Sequence, residues 1–128
     1  MKYQFKKHFT LAEARAMLPK LRRLFAEFHV HRERAQEADN KLGRSLAKTG
    51  GDLGGELVAG LTKDLVMLNA EIRKFQAGGV VIKDFDRGLV DFPSLKEGRE
   101  IFLCWELEED DIEFFHDIED GYAGRERL

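Results

Sequence analysis

The side chains best suited to chemistry gather in the last third of the chain, between Lys83 and Arg125. The only Cys, the only Trp and one of four His fall there in close succession, as Cys104, Trp105 and His116. Thiolate and imidazole are preferred zinc donors, and a carboxylate from Asp91 or Asp117 would supply a third. Cys104, His116 and Asp91 are therefore candidate metal ligands, with a divalent ion such as zinc as the cofactor they would take. The same Cys and His would form a nucleophile–base pair if their strands are neighbours in register. Two features weigh against a site. The chain has no close-spaced C-x2-C pair, and a lone Cys beside a Trp in an apolar strand is commonly a small core residue.

Around them lies a charged cluster, Asp84, Asp86, Arg87, Asp91 and Arg99, at two expected turns. Its guanidinium groups suit bidentate recognition of a carboxylate or phosphate, and its carboxylates suit acid–base work. Asp-Arg-Gly and Glu-Gly are also ordinary hairpin connections. Asp91 stands apart, because it lies between Val90 and Phe92 in an apolar run. If buried it needs a partner, for which Arg99 and Arg87 are the expected choices. Arg125, in Gly121-Tyr122-Ala123-Gly124-Arg125, is placed to return to an acidic group of the sheet and tie down the tail. The candidate ligand-contacting set is thus Asp84, Arg87, Asp91, Arg99, Trp105 and Arg125.

Other signals fail on context. Glu113 to His116 has E-x-x-H spacing, which needs a helix to bring both side chains to one face, and this segment reads as strand. The glycines between Gly50 and Gly55 follow a helix and are not succeeded by G-K-[ST], so no phosphate-binding loop is expected. Lys20, Arg22, Arg23, Arg32 and Arg34 line the first helix, but Glu27, Glu33 and Glu37 alternate with them and no aromatic platform is interleaved, which argues against nucleic acid. His29 and His31, two apart on a helix, point in different directions.

Holding these groups is a chain of 128 residues, 43% hydrophobic and 35% charged, the size of one domain. Residues 1–50 carry 12 Lys/Arg against 5 Asp/Glu, and residues 51–128 carry 9 against 19. Such polarity lets the two parts pack on each other, or lets one copy pair with another. One Cys excludes an internal disulfide and suits a reducing cytoplasm. No apolar leader follows the basic N-terminus and no run spans a bilayer, so a soluble cytoplasmic protein with no membrane partner is expected.

Thr10-Leu11-Ala12-Glu13 fits a helix-capping box, followed by Leu11, Ala14, Leu18, Leu21, Phe25 and Phe28 at heptad spacing. This predicts a helix over 10–48, with Pro19 kinking or breaking it near Leu18. Glycines at 50–55 turn the chain into a second helix over 53–77, whose seam is Val58, Leu61, Leu65, Leu68, Ile72 and Phe75. Beyond Gly79 the period becomes two. Strands are predicted at Val80–Lys83, at Leu89–Phe92 ended by Pro93, at Glu100–Leu107 and at Ile112–Asp117, with Glu108–Asp111 a solvated loop. Ile101, Leu103, Trp105 and Leu107 should share one face, Phe102, Cys104 and Glu106 the other, and His116 should share its face with Ile112 and Phe114. The expected fold is α+β: a long antiparallel helical hairpin packed on a small antiparallel meander of three or four strands over 80–118, with a tail over 119–128.

The segments G-L-V-D-F-P, G-R-E-I-F-L-C-W, Phe115-His116 and G-Y-A-G-R, with Phe9 to Ala14 leading to Leu18-Pro19, resemble the bacterial domain-of-unknown-function family 2203. The chain departs from that family's usual pattern at Phe115, at Glu108-Glu109 and at Arg127, none of them a candidate ligand. The resemblance implies a small cytosolic bacterial protein and no activity. The residues themselves point first to a non-catalytic interaction module that forms a homodimer through its apolar helical hairpin. They point second to a metal or small-ligand site on the meander, with or without catalysis.

Overall fold

The computed structural model describes residues 2–49 and 55–128, and the side chains of all but 44–49 among them. The glycine turn expected at 50–55, and the start of the second helix at Leu53, fall largely outside the described residues.

Helix α1, Leu11–Thr49, begins where the capping box places it. The Glu13 amide donates to Thr10 Oγ1 (3.1 Å), and the Thr10 amide donates to the Glu13 carboxylate (2.9 Å). That backbone donation, with help from Lys7, holds the Glu13 carboxyl below its usual range. The helix runs unbroken through Pro19, so the two-helix alternative does not occur. Helix α2, Gly55–Ala77, returns alongside α1. Five strands then form one antiparallel sheet in chain order: β1 Val81–Asp84, β2 Leu89–Lys96, β3 Arg99–Glu106, β4 Phe114–Asp117 and β5 Glu126–Arg127. The architecture is α+β.

The core lies between α1 and the inner sheet face. Ala14, Leu18, Leu21, Leu24 and Phe25 pack on Val90, Phe92, Ile101, Leu103, Trp105 and Phe115. The inward face of β3 is the one its alternation predicts. Helix α2 is mostly outside this core: Leu68 is its one fully buried residue, with Ile72 and Phe75 partly covered.

Four details depart from expectation. Strand β2 continues through Pro93 to Lys96. Pro93 O accepts from the Phe9 amide (2.7 Å), so the backbone groups of Pro93 point away from β3. Proline's missing N–H therefore costs the β2–β3 ladder nothing. The tail supplies β5, which pairs with β4. Ile112 lies ahead of β4 and turns into the core, so it does not share a face with His116. Glu108–Asp111 is more than a solvated loop, because Arg22 donates to the Glu109 and Asp110 carbonyls and Trp105 Nε1 donates to Glu109 O (2.9 Å).

The charge polarity is partly consumed within the fold. Arg15 reaches Asp111 (2.9 Å), Arg32 reaches Asp86, and Arg34 reaches Asp64 (3.8 Å). Gly88, at φ +64°, sits where an added Cβ would lie 2.5 Å from Leu107 Cβ, which fixes glycine at the β1–β2 turn. Among the described residues no helix is long and apolar enough to cross a membrane.

Candidate metal centre

Register decides which outward side chains meet. Asp91 on β2 pairs directly with Cys104 on β3, and Cys104 pairs with Phe114 on β4. His116 pairs with Phe102, two residues along from the Cys104 row, and so stands diagonal to Cys104 on the same outer face. Side-chain donor atoms of Asp91, Cys104 and His116 all lie within 4.8 Å of one another. All three residues are buried, at 3%, 1% and 3% exposure.

The proton positions are informative. His116 Nδ1 lies 2.8 Å from the backbone carbonyl of Asp117, which can only accept, so Nδ1 carries the hydrogen. The opposite nitrogen, Nε2, lies 3.1 Å from Asp91 Oδ1. A neutral imidazole in this tautomer would set a lone pair against a carboxylate oxygen. The contact therefore needs a proton or a metal ion between the two atoms. A backbone carbonyl that fixes Nδ1–H and aims Nε2 inward is the usual support of a metal-bound histidine. With zinc bonds of about 2.0–2.3 Å, tetrahedral geometry sets neighbouring N and O donors about 3.3 Å apart, and sulfur about 3.6 Å from either. The Nε2–Oδ1 separation is close to that edge, and rotamer adjustment covers the remainder.

Burial pushes the Cys104 thiol up to about 12, the Asp91 carboxylate adds to this, and Arg125 opposes it. Without metal the thiol is protonated, the opposite of an activated nucleophile. A coordinated cation would deprotonate it.

Two chain ends roof the outer face. At the N-terminus, the Gln4 and Phe5 amides donate to the Glu100 carboxylate (2.7 and 3.0 Å), and His8 Nε2 stands 2.8 Å from it. This seats the Phe5 ring edge-on against Phe102, 5.3 Å between centroids, and Phe102 in turn packs on His116. At the C-terminus, Tyr122 OH donates to Glu106 (3.0 Å), and Arg125 bonds both oxygens of Glu109 (2.8 and 2.6 Å). The Arg125 guanidinium lies over the Phe114 ring at 4.0 Å.

The remaining candidates are dispersed. Asp84 caps its own turn by accepting from the Asp86 and Arg87 amides. Arg87 pairs with Glu106 (2.9 Å) and Arg99 with Asp117 (3.2 Å), so neither serves Asp91, whose partner is His116. Trp105 points into the core, away from the outer face. Asp117 gives His116 its backbone carbonyl, while its carboxylate faces Arg99. Glu113 turns to Arg127 (3.8 Å), away from His116. Arg125 does return to an acid, Glu109. Reasoning from sequence missed Glu109 and the Phe5 segment, because no periodic pattern marks an extended strap or a long loop, and it missed Glu100 because its partners lie in that strap.

Fold and centre together define an α+β protein with a buried Cys–His–Asp donor set on the outer face of an antiparallel sheet. Residues 7–128 match the family described as Uncharacterized conserved protein (DUF2203), and the chain belongs to that family. No curated protein and no solved structure matches it.

Proposed function

We propose that this protein binds one zinc ion through Asp91, Cys104 and His116. The observation that carries the reading is the convergence of one oxygen, one sulfur and one nitrogen donor from three adjacent strands within 4.8 Å. The mixed donor set suits zinc over the hard ions magnesium and calcium, which take oxygen ligands. Three protein ligands leave a fourth position for solvent or a substrate atom, the pattern of zinc centres that do chemistry. A reducing compartment such as the bacterial cytoplasm would keep Cys104 available as a thiol. The test is native mass spectrometry after incubation with zinc and removal of the excess. One retained zinc per chain is expected, lost in Cys104→Ser and in His116→Ala. Retention of the same zinc by both variants sinks the reading.

A second reading, a homodimer through the helical hairpin, has its own support. Val66 and Met67 on α2 are 63% and 62% exposed, and Leu57, Val58 and Leu65 are more than 40% exposed beside them. Val58 and Leu65 lie two turns apart on one face of α2 with Val66 beside them, and an uncovered apolar face of this kind marks an association surface. A dimeric mass on multi-angle light scattering is expected, reverting to monomer in Val58→Lys/Leu65→Lys. A monomer for the parent protein at tens of micromolar contradicts it.

A further inference from the structure

The metal reading leaves one coordination position open, and the side chains around the donors show what kind of ligand it would take. Arg125 is the first. Its side chain is 9% exposed, and both of its contacts to Glu109 run through Nη2. Its Nε is buried and, among the described residues, has no hydrogen-bond partner. A buried guanidinium N–H without an acceptor leaves its desolvation uncompensated, so an acceptor at this position is favoured. The guanidinium lies over Phe114, which pairs directly with Cys104.

Lys83 is the second. Its Nζ stands 5.5 Å from the centre of the Phe102 ring, and Phe102 pairs directly with His116. Among the described residues Lys83 forms no ion pair. One cation thus borders the Cys104 side of the donor set and another the His116 side.

Resting on the zinc reading, we propose that the centre binds a small oxyanion, one carboxylate or phosphate oxygen on the metal, with Arg125 Nε–H and the Lys83 ammonium as its protein partners. The donor and charge pattern fits an acidic metabolite and disfavours a neutral or cationic one. Metal plus guanidinium is a recurrent way to hold such groups, because both favour anionic oxygen and neither needs a proton.

The experiment uses cobalt(II) in place of zinc, since a cobalt–thiolate bond gives a near-ultraviolet charge-transfer band and visible bands that respond to a change of ligand. The loaded protein is titrated separately with inorganic phosphate and with acetate, at constant ionic strength set with chloride. A saturable shift of the visible bands is expected with at least one probe, with the thiolate band retained. Arg125→Gln should weaken that binding about tenfold or more, the size of a lost charge-assisted hydrogen bond. Lys83→Gln should weaken it about threefold and flatten its salt dependence. Lys83 is exposed, so this variant decides the matter where Arg125→Gln does not fold. A thiolate band whose visible partners are unmoved by either probe up to about 10 mM overturns the oxyanion proposal and leaves the zinc reading standing. Unchanged affinity in the variants that fold also overturns it. No thiolate band at all removes both readings.

Discussion

Replacing His116 with alanine is expected to cost the metal-free protein about 3–5 kcal/mol, the penalty for leaving a buried charge without its partner. Asp91 is 3% exposed and its charge partner is His116 Nε2 at 3.1 Å, since the arginines nearest in sequence are engaged elsewhere. The Cys104 thiol, whose sulfur lies within 4.8 Å of an Asp91 oxygen, is too weak a donor to compensate. Deleting the carboxylate together with the imidazole should be far milder. The double variant Asp91→Leu/His116→Phe, which fills the space with apolar groups, is expected to fall within about 1 kcal/mol of the parent. Urea denaturation of the parent, Asp91→Leu, His116→Phe and the double variant measures the coupling. Additive single effects would mean that the two side chains are not paired as the structure has them.

Zinc should stabilise the fold substantially. With free zinc at a hundred times its dissociation constant, linkage gives about 2.7 kcal/mol, which for a chain of this length raises the melting temperature by about 10 °C. The gain should vanish in Cys104→Ser. It should also depend on pH in a definite direction. The Cys104 thiol is pushed up to about 12 in the metal-free fold, so at any lower pH zinc must displace its proton. Affinity from this group alone then rises about tenfold for each pH unit gained, and the thermal shift shrinks as pH falls. Differential scanning fluorimetry at several pH values, with and without zinc, measures both effects. A shift that grows on acidification would be inconsistent with a thiolate ligand.

Much of the architecture could be read in the sequence because it is encoded by local rules. Thr10 and Glu13 announce the start of α1, the Leu and Phe heptads set its buried stripe, and alternation along Ile101 to Trp105 sorts the two faces of β3. The rest depends on where distant segments fall. Pro93 reads as a strand terminator, yet it is harmless because its backbone groups face Phe9 and not β3. Arg127 and Glu126 look like a frayed end, yet they pair with Phe114 and Phe115 as β5.

The centre shows the same division. The residue types that could hold a metal are visible at once in Cys104, His116 and Asp91. Their meeting depends on the lengths of two loops, which bring Phe102 opposite His116 and Asp91 opposite Cys104. A slip of one residue would turn His116 into the core. Arg99 looked like the natural partner of Asp91 by proximity in sequence, but register sends it to Asp117. The roof over the site is built from Phe5 and Arg125, which lie almost at opposite ends of the chain and share no pattern.

X-ray absorption at the zinc edge of the loaded protein tests the central claim most directly. One sulfur scatterer at about 2.3 Å is expected, with nitrogen and oxygen scatterers at about 2.0–2.1 Å and an imidazole signature beyond them. The sulfur should disappear in Cys104→Ser and the imidazole pattern in His116→Ala. A shell of oxygen alone, with no sulfur, would contradict the Asp91–Cys104–His116 centre.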